Sequence, residues 1–201
     1  MKRLRVLFRG VGGQGTLLAS RLLGEAAMEQ DIPVRMSEVH GMAQRGGVVE
    51  SAVLLGGLES PLVAEGQADV LVSFEPLETL RALPKCSRRT TIVTNTRPIL
   101  PYTVKSGQAA YPDVEACLDF LRRNYRACHA YDAEAEAEAI GSPKVVNVLL
   151  LGTLLGTGLV PLEPGHLRET IRALVKPRFV ELNLAALDRG LALADGREAP
   201  A

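Results

Sequence analysis

Glu38, His40, Gln44 and Arg45 place an acid, an imidazole, an amide and a guanidinium in one short stretch, among Gly41, Gly46 and Gly47 and beside Met42. An imidazole in such a group can serve as a general base near neutral pH, and an arginine can clamp a carboxylate or phosphate with paired donors. The same residues can instead do no chemistry, His40 and Arg45 fixing the loop through hydrogen bonds while its glycines supply unusual backbone angles. A third reading is contact with a ligand or partner near a remote active centre. No serine elbow, HExxH helix or acid pair stands beside them, so direct acid–base work lacks a nucleophile or metal within reach. Met42 reads as a small apolar plug at an interface.

A second glycine-rich turn precedes this one, Gly10-Val-Gly-Gly-Gln-Gly15, directly after an apolar run of strand length. Gly10-x-Gly12-x-x-Gly15 has the spacing of a dinucleotide fingerprint. In that geometry Gly10 permits the tight turn, Gly12 admits a phosphate close to the backbone, and Gly15 lets helix and strand pack closely; free N–H groups at the helix start attract an anion. Gly13 and Gln14 open the turn further and add a polar amide. The readings left open are a nicotinamide or flavin site, another nucleotide-like or phosphate ligand, a partner-facing turn, and a turn used only for packing. Glu38, the acid nearest the end of the second strand, lies beyond the usual offset of about 20 residues for ribose recognition. There is no Walker lysine–serine pair, so nucleotide hydrolysis has no support.

The elements that must position these turns follow from periodicity. Leu4 to Phe8 reads as a strand, Gly15 to Gln30 as a helix, and Ile32 to Val39 and Val48 to Leu55 as further strands. Ala68 to Phe74 and Thr90 to Asn95 continue the sheet, with a short helix from Pro76 to Leu83 between them. Pro98 to Pro112 is loop or short edge strand. Asp113 caps a helix to about Asn124, Cys128 to Tyr131 is a last strand, and the alanine–glutamate run Ala133 to Ala139 is a short solvated helix. From Ser142 only helices are expected, over Pro143 to Leu155, Pro164 to Val175 and Pro177 to Ala194. The fold class is therefore α/β and Rossmann-like, a mostly parallel sheet with helices on both faces and a C-terminal helical segment. Residues 1–201 read as a single domain with 142–195 as its helical part. Because each glycine turn follows a strand, both should emerge at one sheet edge and form one surface.

With 23 acidic and 23 basic residues and 4% aromatic content, nothing suggests a phosphate-backbone groove or base-stacking surface, and no nucleic-acid partner is expected. Val145 to Val160 is the most apolar window, but it is shorter than a bilayer span of roughly 20 residues and carries Asn147, so it reads as a buried helix and no membrane partner is expected. The N-terminus has no leader pattern, and a cytoplasmic setting is expected. Cys86, Cys117 and Cys128 form no CxxC pair; they read as ordinary thiols, and neither cluster ligands nor a metal site is expected. His129 and His166 are isolated in sequence. Two basic groups, Lys85, Arg88, Arg89 and Arg122, Arg123, Arg126, read as solvated faces or salt-bridge donors rather than specific anion sites. The leucine-rich stripe of the last helix reads mainly as intrachain packing.

Taken together, Gly10-Val-Gly-Gly-Gln-Gly15 and Ser37-Glu-Val-His-Gly-Met-Ala-Gln-Arg-Gly-Gly47 resemble the gamma-type domain of 2-oxoacid:ferredoxin oxidoreductases, and within that family its indolepyruvate branch. Val48 stands where that branch commonly has a serine. The resemblance implies a small subunit, inactive alone, in a hetero-oligomer with a large alpha-type subunit carrying thiamine diphosphate and 4Fe–4S clusters. It implies ferredoxin as electron acceptor, coenzyme A as cosubstrate, and no cofactor held within this chain. On that reading Gly12 to Gly15 floor an interface with His40, Gln44 and Arg45 on its rim. The competing readings are a stand-alone NAD- or FAD-dependent oxidoreductase and a noncatalytic interaction protein reusing the fold.

Overall fold

The computed structural model describes residues 3–41 and 47–194. Six strands form one sheet: β1 (Leu4–Val11), β2 (Val34–His40), β3 (Val48–Leu55), β4 (Ala68–Ser73), β5 (Cys86–Asn95) and β6 (Ala127–Tyr131), in the order β2-β3-β1-β4-β5-β6. β1, β4, β5 and β6 pair in parallel. β3 runs against both β1 and β2. Five strands thus point one way and a single reversed strand interrupts them, the mixed version of the expected parallel sheet.

Strand alternation explains the two-sided core. On β1, Val6 and Phe8 pack into one apolar cluster while Leu7 points into the other, as a period of two requires. The first cluster lies beneath α1 (Thr16–Met28), α6 (Val146–Gly156), α7 (Pro164–Leu174) and α8 (Val180–Ala194). The second is covered by α2 (Pro76–Ala82) and α4 (Val114–Asn124), which supplies Leu118 and Leu121. α4 begins as expected, with the Asp113 carboxylate accepting from Ala116 N at 3.0 Å.

α6 is buried on every side, which accounts for the apolar window; no described helix is long and apolar enough to cross a membrane. It packs against α8 through glycines: a β-carbon on Gly190 would fall on the Leu149 carbonyl oxygen and lie 2.8 Å from Thr153 N. The remaining helices are α3 (Tyr102–Lys105), a single turn inside the proline-rich loop, and α5 (Ala133–Ile140). α5 is not simply solvated. Ala133 and Ala137 are buried, and Glu136 receives two bonds from Arg189 of α8, at 2.7 and 3.0 Å. At 100° per residue the alanines four apart share the inner face, which leaves Glu134 and Glu136 part-buried at its margins and Glu138 exposed.

Burial also sets the chemistry of the isolated titratable groups. It pushes the Cys86 thiol up to about 12 and raises Cys128 and Cys117, so none carries appreciable thiolate at neutral pH. His129, half-buried on β6, is held below its usual value by the same desolvation. The unfolded chain then takes up the proton first, so stability present above the ordinary histidine value falls as pH drops through it. The urea midpoint is expected to fall between about pH 7.5 and about pH 5.5, and less steeply in His129→Gln. Parallel pH profiles in the two proteins would contradict this.

Candidate functional site

The two glycine turns meet. β2 runs in the direction of β1, so the hairpin joining β2 to β3 leaves the sheet at the edge where β1 enters its turn. Gly41 N donates to Val48 O at 2.8 Å, closing the hairpin, and Gly12 N donates to Gly47 O at 2.9 Å, joining it to the first turn. Met42, Gln44, Arg45 and Gly46 lie outside the described residues. Gly41, Glu38 and His40 are exposed, with His40 Nε2 3.6 Å from Glu38 Oε2.

Within the first turn each residue has a distinct task. Gly10 belongs to β1 and pairs with Val49. It is small because a β-carbon there would lie 2.9 Å from Gln14 Oε1 and 3.1 Å from Phe74 Cβ, a packing reason rather than the tight-turn role expected of it. The left-handed positions are Gly13 (φ +100°) and Gly15 (φ +79°), where a side chain is strained. Gln14 is turned inward. Its Oε1 accepts from Val11 N at 2.8 Å and its Nε2 donates to Phe74 O at 2.8 Å, bolting the end of β1 to the segment that follows β4.

That bolt leaves a polar opening. Gly12 N is committed to Gly47, but among the described residues neither Gly13 N nor Gly15 N donates to another protein group, and Gly15 stands at the N-cap of α1 with no side-chain cap bond. Free amides and the positive end of a 13-residue helix therefore lie together at the end of β1. They border a groove of about 530 Å³ whose walls include Leu18, Ile99, Glu134, Lys144 and Asn147. Asn147 is 3% exposed. Its Nδ2 is 3.4 Å from Gly15 O, and its Oδ1 has no partner.

The far wall comes from the proline-rich loop, whose contribution was not legible in sequence. Glu75 is buried at the N-cap of α2, accepting from Glu78 N at 3.0 Å through Oε2. Its Oε1 accepts both Ile99 N, at 3.1 Å, and the Tyr111 hydroxyl. One carboxylate oxygen thus holds both ends of the loop. Burial, and then the neighbouring Glu75 carboxylate, pushes the Tyr111 phenol up, keeping it a donor.

The sheet order weighs against a dinucleotide cradle. Ribose recognition needs the acid of the second strand beside the first turn, but β3 separates β2 from β1, a displacement of two strand spacings, roughly 10 Å. Glu38 instead faces His40. Among the described residues no three His, Cys, Asp or Glu side chains group as metal ligands.

Residues 5–193 match the family model described as pyruvate ferredoxin/flavodoxin oxidoreductase. The chain belongs to that family. Within the pyruvate ferredoxin/flavodoxin oxidoreductases it is of the indolepyruvate oxidoreductase IorB type. It is 40% identical to indolepyruvate oxidoreductase subunit IorB of Archaeoglobus fulgidus over 94% of each chain, and 40% identical to IorB of Pyrococcus horikoshii over 96% and 97%. The fold also superposes, with a TM-score of 0.75 and 18% identity, on 98% of this chain and 32% of a 2-oxoglutarate:ferredoxin oxidoreductase from Magnetococcus marinus, solved with 2-oxoglutarate, coenzyme A and succinyl-CoA bound.

Proposed function

We propose that this chain is the small subunit of an indolepyruvate ferredoxin oxidoreductase, completing the active centre of a large subunit in the CoA-dependent oxidative decarboxylation of aryl pyruvates. The observation that carries the reading is the joined edge of the two glycine turns. It offers free amides, a helix N-terminus and an open groove, and among the described residues no nucleophile is paired with a base there. Such a surface suits binding and orienting a ligand.

In the complex, thiamine diphosphate and iron–sulfur clusters of the large subunit supply the decarboxylation and electron-transfer chemistry, with ferredoxin as the acceptor. The task of this chain is positional. Gly13 and Gly15 N–H groups, the α1 N-terminus and Lys144 suit the phosphates of coenzyme A. His40, Gln44 and Arg45 are assigned contact with the partner. The coenzyme A bound in the Magnetococcus enzyme supports this choice of ligand.

The test is reconstitution of the full chain with its large subunit, followed by assay with indolepyruvate, phenylpyruvate, pyruvate and 2-oxoglutarate in the presence of coenzyme A. Turnover is expected only from the pair, fastest with the aryl pyruvates. Arg45→Ala is expected to lower turnover or assembly by at least about tenfold while leaving the isolated chain's thermal unfolding unchanged. Activity of this chain alone would overturn the subunit assignment, and full turnover of the Arg45→Ala complex would remove the rim role.

A further inference from the structure

Not all of the basic residues singled out in the sequence are accounted for by salt bridges. Lys85 pairs with Glu50 at 3.1 Å, and Arg122 and Arg123 each lie 3.6 Å from Asp119. Arg89 and Arg126 form no ion pair among the described residues, and both border one cavity of about 450 Å³ together with Arg5.

This cavity opens at the beginning of β1, β4, β5 and β6, the end of the sheet opposite the glycine turns. The four strands are consecutive in the sheet, so three arginines remote in sequence are delivered to one end of it and one cavity: Arg5 on β1, Arg89 on β5 and Arg126 immediately before β6. Among the described residues that line the cavity one, Asp69, is a carboxylate. Asp69 accepts from Arg5 N at 2.8 Å and lies 3.6 Å from the Arg5 guanidinium, which leaves the other two charges without a counterpart. Arg89 and Arg126 are exposed at its mouth, where like charges repel less when an anion joins them.

The local backbone is shaped to hold Arg89 there. Ala68 faces Cys86 while Val70 faces Thr91, so β5 takes five residue steps, 86 to 91, against two on β4, 68 to 70. Bulges of this kind re-aim side chains at the edge of a sheet. The bulge is secured from within: Thr90 Oγ1 donates to Ala68 O at 2.6 Å, Ser87 N donates to Thr90 Oγ1 at 2.9 Å, and Arg89 N donates to Ser87 Oγ at 3.3 Å. These bonds fix a bulged stretch, residues 87–90, without partners in the strand register, and it places an arginine at the cavity wall.

We propose that this cavity is a binding site for a phosphate-bearing small molecule, held by Arg89 and Arg126, with Arg5 kept in place by Asp69. Guanidinium groups match phosphate oxygens with paired donors, and the volume admits a diphosphate group. The site is separate from the groove at the glycine turns and does not depend on its assignment.

The experiment is amide-resolved NMR titration of the full chain with inorganic phosphate, pyrophosphate and ADP. Saturable shifts are expected at residues 66–69 and 87–89, with pyrophosphate tighter than phosphate. ADP binding tighter than pyrophosphate identifies a nucleotide as the source, and equal binding identifies inorganic phosphates. In the Arg89→Ala/Arg126→Ala double variant the affinity at these residues is expected to fall at least about tenfold. Shifts at Gly12 to Gly15 report separately on the other end of the sheet and are expected to survive in that variant. The proposal is overturned if residues 66–69 and 87–89 do not respond, if their response persists in the double variant, or if they respond only to a polyglutamate peptide.

Discussion

Gly190→Leu is expected to destabilise the chain by about 3 kcal/mol or more, or to prevent its soluble accumulation. α6 and α8 touch through backbone at this point. A β-carbon on Gly190 would meet the Leu149 carbonyl oxygen, and one on Gly152 would meet the Leu187 carbonyl oxygen, so neither helix can make room by rotating a side chain. Thr153 strengthens the contact, its hydroxyl lying 3.0 Å from Gly190 O and 2.7 Å from the Tyr131 hydroxyl. Urea unfolding checks the prediction against Gly165→Ala. Gly165 has open space around it and no positive φ, and its substitution should stay within about 0.5 kcal/mol of wild type. Equal midpoints for the two variants would refute the close approach.

Arg9→Met should produce the second large loss, about 2–4 kcal/mol. Arg9 sits just below the glycine turn and bonds to Glu50 of β3 and, at 3.3 Å, to Glu78 of α2. Glu78 is 1% exposed. Removing the guanidinium leaves two poorly solvated carboxylates near one another, and only part of the loss is offset by Arg81, 2.6 Å from Glu78, and Lys85, 3.1 Å from Glu50. For a chain of this size the expected fall in Tm is about 4–16 °C. The triple variant Arg9→Met/Glu50→Gln/Glu78→Gln removes the stranded charges and should recover most of it. A triple variant no more stable than Arg9→Met would show that packing of the arginine, not its charge, is what matters.

Much of the fold is written locally. The strands, the buried α6, the Asp113 cap and both glycine turns follow from apolar period, propensity and turn chemistry, which depend on residues close in sequence. Strand order does not. The run Val48 to Leu55 looks the same whether it lies at an edge or between β2 and β1, and only the hairpin joining it to β2 reverses its direction. The site divides in the same way. The glycines were visible, but the inward turn of Gln14 depends on Phe74, 60 residues away. Glu75 gave no sign of holding Ile99 and Tyr111, because those partners are 24 and 36 residues distant. The two arginines at the opposite end of the sheet were visible only as members of basic runs, since convergence of neighbouring strands is a property of the sheet and not of either run.

The single carboxylate oxygen of Glu75 that receives both Ile99 and Tyr111 makes the segment between them a closed ring whose circumference is free to change. Its two ends stay fixed however many residues lie between, and doubling their number costs only about 0.6 kcal/mol in closure entropy. Relatives can therefore lengthen or shorten this ring without disturbing the sheet, and a reporter spliced near Ser106 and Gly107 would stand beside the groove while leaving its floor intact.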